Sequence, residues 1–105
     1  MAAAERVDVS DAPERERYEL SLDGAVVGFI SYHLRPGLIA LVHTEVDESV
    51  RGRGLGDRMI RSALDDASAR GLAVLPFCPF VKAFIERHRE FAALVPDDYR
   101  ETFGL

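Results

Sequence analysis

Cysteine is almost absent from this chain: among 105 residues only Cys78 carries a thiol. One thiol excludes an internal disulfide framework, so the fold must be held by its core. A lone thiol is also easier to keep reduced in the cytosol than outside the cell. No apolar run approaches the ~20 residues a membrane-spanning helix needs. The first residues, Met1-Ala2-Ala3-Ala4-Glu5-Arg6, lack the basic start and long apolar stretch of a signal peptide. These absences lead us to expect a cytoplasmic protein without membrane association. Surplus positive charge is missing too. The net charge is −5, and nucleic acid or an anionic membrane would require a broad basic field. Neither His33 and His88 nor Cys78 shows metal-ligand spacing, and no metal is expected.

What the chain does contain is ordinary globular material, 48% hydrophobic and 30% charged, enough for one domain and one core. Val7 and Val9 alternate with polar residues, as in a short edge strand, and the rest of residues 1–14 reads as mobile. Residues 15–105 read as a single domain. Tyr18, Leu20 and Leu22 alternate with Arg17, Glu19 and Ser21, the period of a half-buried strand. Asp23-Gly24 is a hairpin signal. Residues 25–34 and 38–46 read as strands apolar on both faces, the second until His43, which predicts the middle of a covered sheet. A helix is expected over residues 57–70, with Met59, Ile60, Ala63, Leu64 and Ala67 on one stripe and Gly71 as its stop. Residues 72–77 make a further strand, and residues 79–89 a second helix with Phe80, Val81, Phe84, Ile85 and His88 inward. We read the Phe80/Phe84/Ile85 stripe as core. The tail, 90–105, is expected to pack as loop or a short helical turn. The order β-β-β-α-β-α makes an α/β fold with a mixed sheet. Its first three strands form an antiparallel meander, and strands 38–46 and 72–77 are parallel neighbours across a right-handed crossover.

Chemistry concentrates between the third strand and the first helix, at Arg51-Gly52-Arg53-Gly54-Leu55-Gly56. Glycines let backbone N–H groups turn toward one point, and the helix that follows adds unpaired donors and a partial positive charge. Together these suit phosphate oxygens, and Arg51, Arg53 and Arg58 can add charge-assisted bonds. The same run also reads as a flexible glycine turn with arginines for solubility. A Walker loop would end in Gly-Lys-Ser/Thr, where Asp57-Arg58 stands. A dinucleotide loop would carry a third glycine at Asp57.

These residues resemble the Q/R-x-x-G-x-G/A acyl-CoA loop of the GNAT superfamily of N-acetyltransferases. With His43-Thr44-Glu45-Val46 upstream and Pro76-Phe77-Cys78-Pro79-Phe80-Val81 downstream, the chain looks like the short, yjdJ-type branch of that superfamily over residues 18–94. The resemblance implies a minimal GNAT-like fold with acetyl-CoA (or CoA) as cofactor. It places the pyrophosphate on the residue 53–58 amides, within a binding set of Val46, Arg51, Gly52, Arg53, Gly54, Leu55, Gly56, Asp57 and Arg58. The pantetheine arm would run along the strand edge near Glu45 and Val46, where two parallel strands splay. The thioester would then point toward His43 and Cys78. The two N-terminal helices that usually shape the acceptor pocket have no counterpart before Tyr18, which leaves the amine acceptor unidentified.

Cys78 has two readings. It is a thiol at a helix start, stabilised as thiolate and paired with His43 as a nucleophile, or it is a small buried hydrophobe. The resemblance, which puts both residues at the acyl end, favours the first. Glu45 lies on the same strand face as His43 and reads equally as a general base or as a solvated carboxylate. His33 reads as a strand residue beside a turn, and His88 as a cation at a helix end. Two function classes follow: an acetyltransferase acting on an amine, or an acyl-CoA-binding or sensing module with little chemistry. A nucleotide-binding interaction domain is a weaker third.

Overall fold

The structure, a computed structural model, describes residues 5–105. Alternating residues produce four consecutive strands: β1 (Val7–Ala12), β2 (Arg17–Leu22), β3 (Ala25–Arg35) and β4 (Leu38–Val46). Helix α1 (Leu55–Ala69), strand β5 (Ala73–Pro76), helix α2 (Pro79–Arg87) and helix α3 (Asp97–Phe103) follow. The sheet runs β1-β2-β3-β4-β5. The first four strands are antiparallel, and β5 is parallel to β4 from Leu38↔Ala73 to Leu41↔Pro76. The mixed α/β fold and its parallel pair are therefore those the sequence predicts.

The chain has one strand more in front and one helix more behind than the predicted order. Residues 1–4 of the N-terminal segment expected to be mobile lie outside the described residues. From Val7 to Ala12 that segment is strand, paired along its length with β2 and tied by the Tyr32 hydroxyl, which donates to Asp11 at 2.5 Å. The tail becomes a 3-10 turn (Arg89–Leu94) and α3, because Phe91, Val95 and Phe103 bury there.

Tyr18, Leu20, Ile30, Tyr32, Ile39, Leu41 and Val74 form one core with the predicted α1 stripe. The second face of β3 and β4 is a correction to the sequence reading. Val27, Phe29, Ser31, Ala40 and Val42 are only half-buried, so these strands are covered fully on one side. On that open side Glu19 is buried between Arg15 and Arg17, which bond its carboxylate at 2.8 Å. Chiefly the Arg15 bond holds the Glu19 carboxyl down at about 2, against the opposing effect of burial.

Helix α1 begins two residues before its predicted start, because Gly54 takes the left-handed conformation (φ 75°) that turns the chain into the helix. Its far end is fastened. Tyr18 donates to Asp66 at 2.6 Å, and Arg70 reaches both Asp66 at 3.1 Å and Asp11 at 3.4 Å. Burial, then the bond to Asp66, raises the Tyr18 hydroxyl above its ordinary pKa.

Candidate active site

The register of β4 explains what it presents. Ser31 pairs with His43 and Tyr32 with Leu41, so Val42 is an extra residue, a β-bulge. Upstream, Ile39 and Leu41 point into the core. Downstream, the bulge resets the alternation: Thr44 is buried, while His43 and Glu45 are exposed. His43 Nε2 lies 3.8 Å from Glu45 Oε2, and its ring is 6.0 Å from that of Phe29. Strand β4 runs on past its last pair with β5, Leu41↔Pro76. One bond continues the junction, from the Cys78 N–H to the Leu41 carbonyl at 2.9 Å. Beyond it, residues 42–46 have no strand beside them on that edge among the described residues, and the two strands part.

A cleft of about 580 Å³ occupies the gap. Its walls are residues 43–46 of β4, the loop around Val50 and Arg51, the start of α1, and Phe80, Ala83 and Arg87 of α2. The mouth at α1 is built from glycine. Gly52 and Gly54 hold φ of 80° and 75°, which side-chain-bearing residues rarely adopt. Among the described residues no side chain caps α1, so its first N–H groups and their partial positive charge face the opening. A Cβ on Gly56 would sit in van der Waals contact with the Val46 side chain, at 3.6 Å, so a larger side chain there would project between loop and strand. Arg51 folds over this point, its Nε donating to the Val46 carbonyl at 3.2 Å. Asp57, in the first turn of α1, receives two bonds from Arg87, at 3.1 and 3.2 Å. Those bonds hold the Asp57 carboxyl below its usual range.

A family model described as GCN5-related N-acetyl-transferase matches residues 17–94. The chain belongs to that family. Among solved structures, ribosomal-protein-alanine N-acetyltransferase from Brucella melitensis biovar Abortus 2308 is similar at 22% identity, with a TM-score of 0.49. The similarity covers 76% of this chain and 63% of that one, so the chain spans less than two thirds of that relative. The family match takes in the glycine loop, the cleft and α2 together.

Within this family member, most of the predicted residues converge. Val46, Arg51, Gly52, Gly54, Leu55, Gly56 and Asp57 all line the cleft, as do His43 and Glu45. Arg53 and Arg58 do not; the Arg53 side chain pairs with Glu5 instead. Cys78 is also outside the walls. It is 1% exposed, and its sulfur meets the Thr44 hydroxyl at 3.1 Å. The bulge is the reason: it turns Thr44 toward Cys78 and His43 away, so no hydrogen bond joins His43 to Cys78 among the described residues.

Phe80, read from the sequence as core, is 66% exposed and lines the cleft. The strand beneath its turn of α2 has already ended at Pro76. Val81, Phe84 and Ile85 do bury. Thr44, Ala83 and Arg87 are cleft residues that the sequence reading does not single out. The spacing of Phe80, Ala83 and Arg87, at i, i+3 and i+7, was the available signal.

Proposed function

We propose that this chain transfers the acetyl group of acetyl-CoA to an amine by direct attack. One observation carries the reading: the uncapped, glycine-built start of α1 opens onto a cleft that leads along the free edge of β4 to His43 and Glu45. Acetyl-CoA supplies an activated thioester. The α1 amides and Arg51 bind its pyrophosphate. The open backbone of residues 42–46 offers hydrogen bonds to the pantetheine amides, and Val46, Leu55 and Ile60 exclude water from that arm. At the far end the amine nitrogen forms a bond to the acetyl carbon as the carbon–sulfur bond breaks. Glu45, beside His43, accepts the proton the amine gives up, and the CoA thiolate leaves and takes a proton from water.

Direct attack is the reading the geometry supports, since the Cys78 thiol is buried behind Thr44 without a base. The amine must be neutral to react, so turnover rises with pH. The test is acetyl transfer to a panel of amines, with intact mass recorded after incubation with acetyl-CoA alone. Wild type should turn over without carrying an acetyl adduct. Glu45→Gln should lose roughly 100-fold or more in kcat, the usual worth of a general base, and Cys78→Ala should retain turnover. An adduct that disappears in Cys78→Ala would establish a cysteine relay instead. CoA binding without turnover on any amine would make the chain an acyl-CoA sensor. Titration with ATP in competition with CoA checks the nucleotide-binding alternative, which predicts that ATP wins.

A further inference from the structure

We propose that Arg87 is a positioning residue that draws the Asp57 carboxylate aside, so that the positive end of α1 is left to the pyrophosphate of CoA. The inference rests on the acyl-CoA reading of the cleft.

Asp57 is the third residue of α1, in the turn whose amides face the cleft mouth. A carboxylate there stabilises the helix by occupying its positive end. That end is also what an incoming phosphate needs, so Asp57 competes with the ligand. Arg87 removes the competitor. Its Nη1 and Nη2 each bond one Asp57 oxygen, at 3.1 and 3.2 Å, in the two-pronged geometry lysine cannot reproduce. The guanidinium is held for this by a second contact, 5.7 Å from the centre of the Phe84 ring. Phe84 is itself buried, and Arg61 lies 5.4 Å from the same ring. Arg87 thus sits on a core-anchored aromatic seat on α2 and reaches across the cleft to α1. With the pair closed, Asp57 and Arg87 cancel, and Arg51 provides the uncompensated charge at the mouth.

Calorimetry separates this from a structural or a direct ligand role. CoA and pantetheine, which lacks the pyrophosphate, are titrated into wild type, Arg87→Ala, Asp57→Asn and the Asp57→Asn/Arg87→Ala double variant, each checked for folding by circular dichroism. Arg87→Ala should weaken CoA by about fivefold to tenfold, as expected for an unscreened carboxylate beside a diphosphate near a protein surface. The loss should shrink in high salt, and pantetheine affinity should not change. The double variant should return to within about threefold of wild type, a coupling that only a shared mechanism produces. Should Arg87→Ala not fold, Arg87→Lys takes its place: it loses the two-pronged bond and should weaken CoA in the same direction, and Asp57→Asn/Arg87→Lys should restore it. A loss that persists in the double variant makes Arg87 a direct ligand and overturns the proposal. So do an unchanged Arg87→Ala, an equal loss of pantetheine, or a weaker Asp57→Asn. Wild type that fails to bind CoA overturns the acyl-CoA reading itself.

Discussion

The two ends of α1 are built on opposite plans. At the C-terminal end, side chains are spent on closure: Tyr18 bonds Asp66, Tyr32 bonds Asp11, and Arg70 spans both carboxylates. At the N-terminal end the sequence withholds side chains. Glycine stands at 52, 54 and 56, no described residue caps the helix with its side chain, and the Asp57 carboxylate is bonded by Arg87. A helix end is satisfied either by its own protein or by something else. The contrast teaches that the fastened end serves stability, while the open end is the one the proposed function assigns to binding. The two can therefore be perturbed separately.

The largest effect should come from filling the open end. Gly54→Val/Gly56→Val puts a branched side chain at a positive φ and another in the passage beside Val46. CoA binding should fall below detection by calorimetry, with far-UV circular dichroism unchanged. Undiminished affinity in the folded double variant would end the comparison. Arg51→Ala, at the same end, should weaken CoA by roughly 1.5–3 kcal/mol, the worth of a charge-assisted hydrogen bond.

The closed end should answer in stability alone. Tyr18→Phe leaves Asp66 to Arg70 and removes one part-buried hydrogen bond, at a cost of about 1 kcal/mol. For a domain of this size, that lowers Tm by roughly 4–8 °C. CoA affinity measured well below Tm should stay within about twofold. A matching loss of affinity would show that the two ends are coupled through the helix.

The smallest effect concerns acid. The folded-state pKa of Glu19, about 2, lies below its ordinary value of 4.5. The stability it contributes is complete above the ordinary value and is lost as pH falls toward 2. Tm followed from pH 5 to 2 should decline, and Glu19→Gln should flatten part of that decline. An identical slope in the variant would assign the acid sensitivity to other carboxylates.

Much of this contrast was legible in the sequence. The helical stripe from Met59 to Ala67 and the glycines after β4 have local signatures, and both stand where the periodicity and turn chemistry put them. What was not legible depends on partners far apart in the chain. Asp66 and Tyr18 are 48 residues apart, and Asp57 and Arg87 are 30. Neither pairing leaves a trace in local spacing. Phe80 was misplaced for a related reason: its helical phase says core, but whether a core exists beneath it depends on where β5 stops. The company of Cys78 was misjudged because the resemblance puts His43 at its side, whereas the bulge at Val42 turns Thr44 toward the thiol.

That bulge has a consequence for how the strand tolerates insertions and deletions. Losing one residue from a strand ordinarily turns every later side chain over. In β4 the extra residue has already done this once, and removing Val42 would restore strict alternation with Thr44 still facing inward and His43 and Glu45 still facing out. Removing Ala40 would instead throw Ile39 and Leu41 out of phase with each other. Val42 thus works as slack in the reading frame of the sheet, a place in β4 where chain length can change and leave the core and the exposed residues on their own sides.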